Sequence, residues 1–260
     1  MITKNFFSSL IKLISIFKLK IKKKISPTFV GVFKTYQEAF LASNNPIKYV
    51  NKNHQVKKGF LDLETTEVSA RCAIFPLFCA IVLNNEDNEK EYEFLEIGGG
   101  DNPAFLYILK STNKKIKCQI LEEENFEIEI PNEYKNYTFY KNKIEDINFK
   151  NLSSAVFSCS IQYMENYIDI LNKIFENKIK YVFIVETFFT NKNENIYTLQ
   201  KNVKNTTFPN TFFSLNKLNE IFEKNSYKQI YITKRNINKY SHNKLEGKEF
   251  FFRDIIYKLI

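Results

Sequence analysis

The chain has 260 residues, 44% of them hydrophobic with 26 Phe and 15 Tyr, which excludes a disordered chain and allows one sizeable core. Its four cysteines, Cys72, Cys79, Cys118 and Cys159, form no C-x-x-C pair and only two histidines are present, so no metal cluster is expected and the thiols fit a reducing cytosol. The net charge is +9, but residues 1–26 carry seven lysines and no acid, and this uneven spread argues against a nucleic-acid surface.

Residues 1–26 read as a basic amphipathic helix. Phe6, Phe7, Leu10, Ile14, Phe17 and Ile21 recur at three- and four-residue spacing, lysines gather toward the end, and Pro27 closes the segment. No run reaches the roughly 20 apolar residues that a membrane span needs, and no small-residue cleavage site follows. Such a helix can lie in an anionic membrane interface, or pack on the domain or a partner subunit, and the segment also reads as a disordered tail; all three readings stand. The expected location is cytoplasmic, and under the first reading peripheral on the inner face of the cytoplasmic membrane.

Residues 27–88 read as a helical cover. FKTYQEAFLASNN (33–45) predicts a short helix with Phe33, Tyr36, Phe40 and Leu41 on one face, and TEVSARCAIFPLFCAIVL (66–83) a buried helix despite Pro76. NNEDNEKE then makes a solvent-facing break.

Residues 89–260 read as a Rossmann-like domain. YEFLEI (92–97) is the first core strand, and the first crossover helix begins between Ala104 and Lys110. KIKCQIL (115–121), YTFY (137–140), SSAVFSC (153–159) and KYVFIVE (180–186) are further strands. NYIDILNKIFE (166–176) is a helix with Asn166 placed as cap and Asp169 as its capping-box partner, and SLNKLNEIFEKN (214–225) is another capped helix. Two final strands, about 227–235 and 249–258, flank the polar loop NINKYSHNKLEG. The expected architecture is α/β: a doubly wound, mostly parallel sheet with a C-terminal antiparallel hairpin and an N-terminal helical extension.

Ligands of such sheets sit outside the carboxyl ends of the strands, where the strand order reverses. Gly98, Gly99 and Gly100 follow the first core strand at that edge and permit a tight turn and close backbone approach, although a strand-to-helix turn also needs glycine for structural reasons alone. Glu122 ends the next strand, where a carboxylate can accept both ribose hydroxyls of an adenosine. A pyrophosphate site wants G-x-G-x-x-G, but its third glycine is here Pro103, preceded by Asp101. Glu96, the last polar residue of the first strand, suits a cationic cofactor instead. S-adenosylmethionine, with its α-ammonium and sulfonium, fits two acidic strand ends better than NAD does.

The segments FKTYQEAFLASN, AIFPLF, EFLEIGGGDN, ILEEENF, FSCSIQYMENY, IVETFF with TLQ, and TFPNTFFSLNKL occur in an order and spacing that resemble one family. It is a family of class I S-adenosylmethionine-dependent methyltransferases associated with bacterial surface-polysaccharide biosynthesis. The resemblance implies that Glu96, Gly98 and Gly100 shape the methionine and ribose end of the cofactor site. It also implies that Glu122 binds the ribose and that Ser158, Ser160 and Gln162 lie beside the cofactor. Three departures stand out: Glu96 replaces the usual Asp, Tyr36 the usual Trp, and Glu186-Thr187 the usual Asp-Arg-Thr, with no basic residue.

Methyl transfer to a hydroxyl needs a positioned acceptor and a base within hydrogen-bond reach. The candidate catalytic residues are Glu186, after the strand 180–186, His242 in the late polar loop, and His54. Glu186 also reads as a structural cap or a cofactor-side acid, and His242 as a solvated residue of its polar loop. Tyr163 either lines the acceptor pocket or packs under the cofactor. Asp146 stands where many such enzymes bind the adenine amino group, or is a turn residue. The expected function is methyl transfer from S-adenosylmethionine to a sugar or lipid-linked glycan precursor. The alternatives are an NAD-dependent oxidoreductase and a non-catalytic Rossmann-like protein of a glycan assembly system.

Overall fold

In chain order the strands are β1 (Phe29–Phe33), β2 (Tyr92–Ile97), β3 (Ile116–Leu121), β4 (Thr138–Lys141), β5 (Leu152–Ser158), β6 (Tyr181–Thr190), β7 (Ile196–Lys201), β8 (Thr207–Ser214), β9 (Tyr227–Ile232), β10 (Lys244–Leu245), β11 (Lys248–Glu249) and β12 (Phe251–Leu259). The helices are α1 (Tyr36–Ala42), α2 (Tyr167–Glu176) and α3 (Leu215–Lys224). This computed structural model describes residues 29–44, 77–83, 91–98, 114–122, 132, 135, 138–141, 143–201, 206–233, 244–245 and 248–260. The basic segment 1–26, the first crossover helix and most of 66–83 lie outside them.

β2, β3, β5 and β6 are buried along nearly their whole length because both faces of the sheet are covered, and β6 is almost all apolar. The order is β4-β3-β2-β5-β6-β12-β9, parallel from β4 to β6, with β12 antiparallel to both β6 and β9. The expected doubly wound sheet and its C-terminal antiparallel hairpin are therefore both present. Strand order reverses between β2 and β5. Leu95, Ile97, Phe157 and Ile184 pack on Leu171, Ile174 and Phe175 of α2 and on Leu218 and Phe222 of α3. On the other face, Phe78, Val82 and Leu83 of a helical turn cover Tyr92, Phe94, Cys118, Ile120 and Phe183.

A second set of strands extends the sheet, and the sequence reading had no element for it. β1 pairs with β7 and β7 with β8, both antiparallel. β5 stops opposite Val185, and β8 then takes the same edge of β6, pairing Phe189 with Phe213 and Thr190 with Ser214. Thr207, Pro209, Asn210 and Thr211 disguise β8; the proline is tolerated because only one edge of the strand is paired there. Phe29, Phe188, Phe212 and Phe250 close this region with edge-on rings, at centroid distances of 5.0, 4.8 and 5.4 Å from Phe29.

Local chemistry corrects two helix starts. The helix expected over 33–45 is only Tyr36–Ala42, because Phe33 belongs to β1 and Thr35 caps the helix by accepting from Glu38 N–H at 3.1 Å. Its buried residue is Ala39, whereas Leu41, assigned to the inner face, is 73% exposed. Asn166 precedes α2 as expected, but with φ −90° and ψ 21° its side chain makes no capping bond. Ser214, in extended conformation before α3, does cap, accepting from Lys217 N–H at 3.3 Å.

The phenols of Tyr227 and Tyr257 donate to Ile179 O at 2.5 Å and Asn219 Oδ1 at 2.7 Å, and burial pushes both well above the ordinary tyrosine range. Among the described residues no helix is long and apolar enough to cross a membrane.

Candidate functional site

β2 and β3 run in register to Ile97 and Leu121, and the ladder then continues one step. Gly98 N–H donates to Leu121 O at 2.9 Å, and Glu122 N–H donates to Lys141 O at 2.8 Å. Gly98 and Glu122 are therefore neighbours at the carboxyl edge, about 4.8 Å apart in strand spacing. Gly98 has φ +72°, and a Cβ built there would lie 2.5 Å from Ser160 Cβ. Ser160 is held against it by a hydrogen bond from its Oγ to Ile97 O. What presses on Gly98 is thus the turn leaving β5, which is the structural reason for glycine at that position. Gly99 and Gly100 lie outside the described residues.

Glu96 is fully buried, on the sheet face that also carries Tyr92 and Phe94. Its register partners are Ile120 and Val156, so the carboxylate is flanked by aliphatic side chains at the switch point. The nearby Cys118 thiol is pushed well up, first by its own burial and then by the Glu96 charge. A cation brought to this edge would be favoured by the negative charge of a buried carboxylate.

Beyond β5 the chain turns sharply. Ser158 is buried, Cys159 takes φ 57° with its N–H donating to Val185 O at 2.9 Å, and Ser160 leads into a single 3-10 turn, Ile161–Tyr163. Gln162 is fully buried, with its Oε1 accepting from Thr187 Oγ1 at 3.3 Å. Tyr163 O–H donates to Gln200 Oε1 at 2.8 Å, and Tyr36 O–H of α1 donates back to Tyr163 O at 2.5 Å. Tyr36 thus places a phenolic hydroxyl on the turn beside the site.

Glu186 lies on the next strand, beside Cys159, in a bulge. The β6–β12 register shifts between Arg253 and Ile255, and Glu186 adopts φ 52°. Asp254, itself buried, accepts Glu186 N–H on Oδ1 at 2.9 Å and Thr233 Oγ1 on Oδ2 at 3.1 Å. Arg253 is the register partner of Thr187, but its guanidinium turns to the β9 side of β12. Its Nη1 donates to Thr233 O at 3.2 Å and its plane lies over Phe251 at 4.5 Å, and burial lowers its pKa.

No family model matches the chain, and no curated protein does. Among solved structures it is similar to 1,6-didemethyltoxoflavin-N1-methyltransferase of Burkholderia thailandensis, bound to 1,6-didemethyltoxoflavin and S-adenosylhomocysteine. The TM-score is 0.50 at 11% identity, over 76% of this chain and 82% of that one. The CcbJ methyltransferase of Streptomyces caelestis follows with TM-score 0.47 at 10% identity, over 75% and 97% of the two chains. The first likeness, with the strand order above, decides the fold. It is that of the class I S-adenosylmethionine-dependent methyltransferases.

Within this methyltransferase fold, the switch point lies between Gly98 and Ser158. Glu96, Gly98, Glu122, Ser158, Ser160, Gln162 and Glu186 all lie on strands or turns at that carboxyl edge. Asp146 ends an exposed 3-10 turn after β4, two strands from β2. His54 and His242 lie outside the described residues. The sequence reading missed Asp254, Gln200 and Asn210. Asp254 had a signal, an acid inside the apolar run FFRDIIY, since a buried acid implies a set of donors. Gln200 and Asn210 stand inside the segments TLQ and TFPNTFFSLNKL, but their meeting depends on the pairing of β7 with β8.

Proposed function

We propose that the protein is an S-adenosylmethionine-dependent methyltransferase that O-methylates a sugar or surface-glycan precursor. The observation that carries the cofactor reading is the pairing of a buried carboxylate, Glu96, with the adjacent Gly98–Glu122 strand ends at the switch point. Glu96 would hold the cationic methionine end and Glu122 the ribose hydroxyls. Glu96 beside the Gly98 turn disfavours the pyrophosphate of NAD by like charge, whereas Glu122 suits the ribose of either cofactor. Bound there, the cofactor supplies an electrophilic sulfonium methyl group. The residues around it orient and desolvate, and Glu186 takes the proton of the acceptor hydroxyl. The sugar reading rests on the resemblance of the ordered sequence segments.

Calorimetry of the full chain with S-adenosylmethionine, S-adenosylhomocysteine and NAD tests the cofactor. The two methionine compounds are expected to bind, and Glu122→Ala to weaken them roughly 10- to 100-fold through lost charge-assisted hydrogen bonds. NAD binding with no response to the other two overturns the reading.

We propose further that residues 1–26 bind anionic membrane surfaces reversibly. Support comes from the concentration of seven lysines beside the Phe6, Leu10, Ile14 and Phe17 stripe. Co-sedimentation with phosphatidylserine vesicles is expected at low salt and lost at high salt or on deletion of 1–26. Indifference to anionic vesicles, with the deletion changing oligomeric state instead, assigns the helix to a subunit interface.

A further inference from the structure

The β1–β7–β8 strands stand over the edge of β6 that β5 vacates, and the side chains gathered behind the β5 turn are uncharged. Gln200 Oε1 accepts both the Tyr163 phenol, at 2.8 Å, and Asn210 Nδ2, at 2.9 Å. Both lone pairs of that oxygen are then used. Asn210 is completely buried, yet its Oδ1 has no hydrogen-bond partner among the described residues. The cluster is complete at Gln200 and lacks one donor at Asn210.

Register places this carbonyl close to the chemistry. Asn210 stands on β8 three residues before Phe213, the residue at which β8 joins β6. The turn carrying Tyr163 packs against β8, and it starts at Ser160, which touches Gly98. The cluster therefore backs the same turn that borders the cofactor edge. An amide carbonyl withdrawn from water calls for a donor. A carboxylate or phosphate brings only acceptors to it, and the neutral cluster supplies no charge to offset a buried ammonium.

We propose that Asn210, held by Gln200 and Tyr163, is a specificity-determining residue of the acceptor subsite. Its Oδ1 accepts a hydrogen bond from a hydroxyl of a neutral, hydroxyl-rich methyl acceptor. The inference rests on the methyltransferase reading and adds the side chain that selects the acceptor.

The test uses the full chain saturated with S-adenosylhomocysteine, with binding confirmed first by calorimetry. Saturation-transfer NMR then compares D-fucose, D-galactosamine and D-galacturonate as probes. D-fucose is expected to give the strongest signal. Asn210→Leu, which removes the acceptor at similar volume, should weaken D-fucose binding roughly tenfold or more while leaving S-adenosylhomocysteine affinity unchanged. Asn210→Asp, which keeps an oxygen at that position, should retain more D-fucose binding than Asn210→Leu, and serves as the second variant if the leucine protein fails to fold. Equal D-fucose binding in wild type and Asn210→Leu, or a D-fucose signal no stronger than that of either charged sugar, overturns the subsite alone. Failure of S-adenosylhomocysteine to bind overturns the methyltransferase reading, and the subsite with it.

Discussion

Gly98→Ala is expected to be among the most destabilising single-methyl changes available in this chain, costing about 2–5 kcal/mol. Two separate causes add. The backbone at φ +72° lies in the left-handed region that an alanine Cβ resists, and the new methyl would meet Ser160 Cβ at 2.5 Å. For a domain of this size the melting temperature should fall by roughly 5–20 °C. Adding Ser160→Gly separates the causes. It removes the clash but not the backbone strain, so the double variant should recover about half of the loss, less the contribution of the lost Ser160–Ile97 hydrogen bond. A Gly98→Ala protein that melts like wild type would show that the β5 turn moves aside freely. The packing account of this glycine would then be wrong, and the glycine would have to be explained by a ligand.

The same contact shows what the sequence made legible and what it hid. Runs such as YEFLEI and YVFIVE announce themselves as strands buried on both faces, and the parallel core follows from them. Glu96 and Glu122 were visible because an acid at the end of an apolar strand is chemically conspicuous. Ser160 as the partner of Gly98 was not, because that contact depends on β2 and β5 lying side by side. The Glu186 bulge was hidden for a similar reason. It exists through Asp254, 68 residues away, and an outlying φ has no local signature unless glycine marks it. β8 was hidden by its own composition: Thr, Asn and Pro209 read as loop until β7 and the end of β6 give them partners. The apolar core was thus readable from periodicity, while the polar clusters of the site arise from long-range pairing.

Glu96→Gln is expected to separate stability from binding more cleanly than any other change at the site. Glutamine keeps the volume of the side chain and removes the charge. Glu96 is completely buried beside Ile120 and Val156. Because glutamine keeps the shape and an acceptor oxygen at this position, the ligand-free variant should melt close to the wild-type temperature. Its affinity for S-adenosylmethionine and S-adenosylhomocysteine should fall roughly 10- to 100-fold, the contribution of a charge-assisted bond to the ammonium that both compounds carry. Thermal unfolding of the ligand-free protein and calorimetry with both compounds read the two effects independently. Loss of both stability and affinity would make Glu96 a structural acid whose removal distorts the edge. Unchanged affinity would take it out of the cofactor site, leaving Glu122 as the acidic strand end that reads the ligand. Only preserved stability with weakened binding supports the view that this carboxylate serves a cation that arrives from outside the chain.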